Sequence, residues 1–240
     1  MAESKGQFFY NRFIEIMSNE NSNLKISELQ NKFKATIPFT TDIQCDDLPL
    51  WQLYWYDLKN FTSLINKSIA PAIIHLAGCS SENEYYRTDI IGWKKVPNKT
   101  GDSSDTTISD FHIYSWNLIY AIEHENDSKE WCDEFVKLQY LRAKCHILIG
   151  YVPQSKRGEK DKNGYIGDIN RIKAAIKNAP PVVDFCETGT ECESDYSKEE
   201  YIIILGNSDA DNVEINHNFD YCGYRLIGEN VIAMKYLKTN

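Results

Sequence analysis

The chain has 240 residues, 42% of them hydrophobic and 12% aromatic, enough to bury a core and too apolar for a disordered polymer. Its net charge of −9 argues against a nonspecific polyanion binder with a broad basic surface, though not against a local basic patch. No apolar run approaches the roughly 18 residues of a membrane span. The opening MAESKGQFFYNRF lacks a secretion pattern, and seven scattered cysteines without CxxC spacing suit reduced thiols in a cytoplasm.

In chain order, FFYNRFIEIM and NLKISELQNKF predict two amphipathic helices within residues 6–35. PLWQLYWYDLKNFTSLINKSI predicts a further helix, its start marked by Asp46, Asp47 and Pro49. Its aromatic cluster of Trp51, Tyr54, Trp55 and Tyr56 suits core packing better than base stacking. The signal then changes to strands. NEYYRTDIIGW reads as one, ended by Gly92 and the polar loop 94–110, and FHIYSWNLIYAIEHE reads as a second over about 111–125. A helix through KEWCDEFVKLQYLRA follows, with Asp127 or Ser128 as its cap and Glu130 completing a capping box.

CHILIGYV is a continuous apolar run, as a central strand requires, and the intervening helix makes it parallel to the strand before it. GYIGDINRIKAAIKNA predicts another helix and EYIIILGNS another buried strand. FDYCGYRLIG and NVIAMKYL predict a terminal hairpin. Cys186 and Cys192 read as free loop thiols. The expected class is α/β or mixed α+β: a central mixed sheet flanked by helices, with a helical region (1–80) packed on a core (81–240) as one compact unit.

Acidic side chains supply the chemistry. Glu123 and Glu125 lie on the same face of a strand leaving the core, so their charges repel unless a cation joins them. Asp89 is embedded among apolar strand residues and comes within reach of Glu123 if the two strands are neighbours. Asp110 is the rival for its role, closer in sequence but following a Ser/Thr/Asp-rich loop. Such a cluster suits magnesium, with manganese as a substitute. Glu134 and Lys137, on the following helix, are accessory candidates or simply a surface pair. His124 points to the opposite face and reads as a core or interface histidine. Lys156, Arg157, Lys160 and Lys162 form a basic stretch suited to phosphates.

The succession RTDIIGW, AIEHEND, EWCDEFVKL, HILIGYV resembles the PD-(D/E)XK nuclease superfamily, the restriction-endonuclease-like fold. The resemblance spans residues 84–152. It implies that Asp89 and Glu123 bind magnesium and that Glu125 stands where the family usually keeps a lysine, a Glu-x-Glu variant. The implied function is a magnesium-dependent DNA endonuclease of restriction or defence type, acting on double-stranded DNA and suited to a homodimer. The alternative is a nuclease-like fold that has lost catalysis and serves as a nucleic-acid- or protein-binding module.

Overall fold

The computed structural model describes residues 3–43, 48–85, 87–95, 116–127, 129–178, 199–208, 220–227 and 230–237. Asp110, the 111–115 part of the second expected strand, Ser128 and the Cys186/Cys192 pair lie outside them. The class is as expected: a mixed sheet of seven strands with helices on both faces.

The amphipathic N-terminal segments form α1 (Lys5–Ile16) and α2 (Ile26–Phe33). The long helix expected next is instead a chain of short ones: α3 (Leu50–Tyr56), α4 (Leu58–Leu64), a π-helical turn (Ile65–Ile69) and α5 (Ala70–Leu76). Asp57 makes the first break, because its carboxylate accepts the Asn60 N–H at 3.2 Å and starts α4 afresh. Tyr54 is buried against Phe61 and Tyr151, with ring centroids 4.8 and 5.2 Å away, Trp51 and Trp55 pack partly on the same core, and Tyr56 is exposed.

NEYYRTDIIGW is not one strand but a hairpin. Its arms are β1 (Ser80–Tyr85) and β2 (Thr88–Lys95), paired antiparallel with Tyr85 opposite Thr88. Arg87 takes a φ of +67°, the left-handed conformation that a two-residue hairpin turn demands. Continuous β propensity hid this turn, since neither Gly nor Asn marks it. β3 (Trp116–His124) pairs antiparallel with β2.

Then α6 (Trp131–Leu138) crosses over to β4 (Cys145–Val152), which is parallel to β3 as expected. Its cap differs from expectation. Asp127 accepts the Lys129 N–H at 2.8 Å in a local turn, and Glu130 occupies the cap position without a side-chain bond. Beyond β4 come α7 (Gln154–Arg157), a small hairpin of β5 (Lys160–Asp161) and β6 (Gly164–Tyr165), and α8 (Ile166–Asn178). β7 (Glu200–Asn207) lies parallel to β4, and β8 (Cys222–Ile227) with β9 (Asn230–Ala233) forms the expected terminal hairpin.

The sheet order is β1-β2-β3-β4-β7-β8-β9. All eight residues of β4 are buried, because α1 to α5 cover one face of the sheet while α6 and α8 cover the other. The consequence for function is directional. The ends of β3, β4, β7 and β9 and the starts of β2 and β8 all fall at one end of the sheet. No helix among the described residues is long and apolar enough to cross a membrane. Cys79, Cys132, Cys145 and Cys222 are unbridged thiols.

Candidate functional site

The register Ile90–Ile122, Ile91–Ala121 places Asp89 opposite Glu123 when continued by one residue. Opposed residues of an antiparallel pair share a face, so both carboxylates turn to the side covered by α6. Asp89 Oδ2 accepts the His124 backbone N–H at 2.8 Å, which ties the start of β2 to the end of β3.

Lys137 completes the group from α6. Its Nζ lies 3.0 Å from Glu123 Oε1, forms an ion pair with Glu134 and donates to the Arg87 carbonyl at 2.9 Å. The left-handed turn at Arg87 is therefore part of the site, since it aims that carbonyl at the ammonium. Asp133 and Glu134 fall in the first turn of α6, where acidic side chains complement the dipole. Lys137 lies one helical turn beyond Glu134, on the same face.

Glu123 is only 1% exposed. Burial, and then the negative charge of Asp89, push its pKa up to about 8, against the opposing pull of Lys137. Asp89 is raised too, chiefly by burial, with the His124 N–H and Lys137 acting the other way. Burial lowers Lys137, but its contacts with Glu134 and Glu123 outweigh that and hold it above its ordinary range. The Glu123–Lys137 contact is a charge contact, off the hydrogen-bonding direction, and leaves Oε1 without a directional donor. A buried carboxylate oxygen short of well-aligned donors, beside the half-buried carboxylate of Asp89, fits a hard divalent cation. Magnesium commonly takes one or two protein carboxylates and completes its shell with water and substrate phosphate. Among the described residues no three acidic, histidine or cysteine side chains converge as a closed metal cage.

Glu125 does not join this group. β3 ends at His124, so strand alternation no longer governs the next side chain. Glu125 instead accepts the Asp127 N–H at 2.7 Å, while its own N–H donates to the Ile149 carbonyl at 2.9 Å. Among the described residues none of its bonds reaches Asp89, Glu123 or Lys137. The ammonium beside Glu123 thus comes from the helix.

His124 faces the other side and is buried, as expected of a core histidine. Its Nδ1 lies 2.9 Å from Asn66 Oδ1, and its Nε2 lies 3.0 Å from the Tyr151 hydroxyl. Asn66 can only accept there, so the neutral ring carries its proton on Nδ1 and Tyr151 donates to Nε2. Burial lowers the imidazole pKa to about 3.

The basic stretch divides. Lys156, Lys160 and Lys162 are exposed. Arg157 is not available to a phosphate, because its side chain is buried and committed. It bonds Asp168 Oδ2 through Nε (3.2 Å) and Nη2 (3.1 Å), the Leu205 carbonyl at 3.0 Å and the Asp220 carbonyl at 3.1 Å. Comparison of the chain with protein-family models, curated proteins and solved structures gave no match.

Proposed function

We propose that the chain is a magnesium-dependent nuclease of restriction-endonuclease-like architecture that hydrolyses phosphodiester bonds in DNA. One observation carries the reading: Asp89 and Glu123 are opposed at a sheet end, with the Lys137 ammonium 3.0 Å from Glu123 Oε1. The antiparallel pair β2-β3, followed by α6 and the parallel β4, agrees with the order of elements that the resemblance implies.

Asp89 and Glu123 would hold the cation. When bound, magnesium supplies a water of lowered pKa and neutralises charge on the phosphoryl oxygens. Lys137 stays protonated near neutral pH, because its pKa is raised. It therefore serves as a donor to the phosphoryl oxygen or the attacking water, not as a base. Glu134 and the Arg87 carbonyl position it. The His124 N–H holds Asp89 in place.

Lys137→Met is expected to slow cleavage roughly 10²-fold or more while leaving DNA affinity nearly unchanged, the magnitude typical of a lost positioned proton donor. The assay is time-resolved nicking of genomic and plasmid DNA with magnesium, manganese or EDTA. An absence of metal-dependent cutting by the wild type would overturn the proposal. A second reading, binding without cutting, is favoured by the Lys137 ammonium, which already pairs with Glu134 and lies against Glu123. Calorimetry separates the two: a site filled by its own lysine takes up no magnesium, whereas the catalytic site does so and loses it in Asp89→Asn.

A further inference from the structure

A cavity of about 260 Å³ opens where the β5–β6 hairpin meets the start of β8 and the end of β9. Lys160, Lys162 and Lys235 line it, with Tyr10, Tyr221 and Tyr236 among its walls. The one acidic residue there, Asp161, is engaged locally, its Oδ1 accepting the Asn163 N–H at 2.6 Å. Among the described residues none of the three lysines makes an ion pair. On a chain of net charge −9, three ammonium groups around one cavity reverse the local sign.

The walls are anchored. The Tyr165 N–H donates to the Tyr224 hydroxyl at 3.1 Å, and the Tyr165 hydroxyl donates to Asp220 Oδ2 at 2.6 Å. A Cβ on Gly164 would come within 2.6 Å of the Tyr224 ring, so the hairpin lies directly on β8. Lys160 Nζ sits 5.1 Å from the centre of the Tyr165 ring, whose environment also includes the buried Arg157 guanidinium at 4.2 Å. On the far side, the Met234 N–H donates to the Gly223 carbonyl at 2.8 Å. Arg157 thus serves the basic surface from beneath, by holding the ring over which Lys160 lies.

We propose that this cavity is a binding site for a nucleotide phosphate. The lysines supply charge for the phosphate and the tyrosines an apolar wall for sugar or base. The phosphate comes either from a nucleic-acid backbone or from a free mononucleotide. The cavity lies at the same sheet end as Asp89 and Glu123. β4 and β7 intervene between β3 and β8, an offset of about 14 Å at the usual strand spacing. For a duplex held at both places, that is roughly four base pairs from the cut, and this geometry rests on the nuclease reading.

The test measures binding in EDTA, where cleavage plays no part, using fluorescently labelled 20-base-pair DNA and AMP as separate probes. The variant Lys160→Ala/Lys162→Ala/Lys235→Ala is compared with Lys34→Ala/Lys59→Ala/Lys67→Ala, which removes equal charge from exposed positions elsewhere. Affinity is expected to fall at least tenfold more in the cavity variant than in the control. A loss for DNA alone assigns the site to a strand backbone, a loss for AMP alone to a free nucleotide, and a loss for both to either source. If neither probe binds the wild type, or the two variants bind alike, the proposal is overturned. Magnesium-dependent cutting by the wild type is measured separately: probe binding without cutting fails the nuclease reading alone, and cutting without a difference between the two lysine variants fails the cavity alone.

Discussion

Glu123→Gln is expected to abolish metal-dependent cleavage while stabilising the metal-free protein at alkaline pH. In the folded chain the Glu123 pKa is pushed to about 8, above its ordinary value of 4.5, because burial and the Asp89 charge disfavour the carboxylate. The folded state therefore holds this proton more tightly than the unfolded state. The stability so conferred is fully present below about 4.5 and is lost as pH rises through about 8. Glutamine carries no such proton, so the stability of wild type relative to the variant should fall across that window. The fall is on the order of a few kcal/mol, at about 1.4 kcal/mol per pH unit. Urea unfolding in EDTA at several pH values checks it, and a difference that is flat with pH would contradict a buried, proton-holding Glu123. His124 changes in neither protein and cancels in the difference. Cleavage with magnesium should drop by roughly 10²–10³-fold or more, since the variant loses a charge that balances the cation.

The second large effect is structural. Arg157→Met should destabilise the protein by about 3–5 kcal/mol, because it leaves Asp168 buried without its cation. Asp168 Oδ2 would keep only the Tyr224 hydroxyl, at 2.8 Å, and Oδ1 already lacks a partner among the described residues. The double variant Arg157→Met/Asp168→Leu should recover part of the loss by removing the stranded charge. Chemical denaturation measures both. A cost below about 1 kcal/mol for the single variant would show that this pair does not hold α7, the β5–β6 hairpin and α8 together.

These two sites show what residue patterns could and could not reveal. β4 and β7 were legible because a strand buried on both faces must be continuously apolar. The parallel placement of β4 followed from the helix before it. The β1–β2 hairpin was hidden because its turn uses a non-glycine residue at positive φ, a cost the fold bears to aim the Arg87 carbonyl at Lys137. The pairing of Asp89 with Glu123 is conditional in the sequence on the two strands being neighbours, and the register of β2 on β3 supplies that condition. Glu125 departs from expectation because its carboxylate closes a local turn on the Asp127 N–H, which strand alternation does not encode. Lys137 is legible in the sequence only as an accessory candidate. Its three-residue spacing from Glu134 was visible, but its contact with Glu123 depends on how α6 lies over β3, which local patterning does not encode. Arg157 stood in a run of lysines and looked like surface. Its partner Asp168 is on α8, and only tertiary packing reveals the pair.

The proposed chemistry needs one cation joining two strands. Crystals grown with manganese and measured for anomalous scattering test that directly. The expected result is a peak about 2.1–2.3 Å from carboxylate oxygens of both Asp89 and Glu123, with the Lys137 ammonium moved away from Glu123. A peak elsewhere, or no peak at these carboxylates at millimolar manganese with Lys137 still against Glu123, would contradict it.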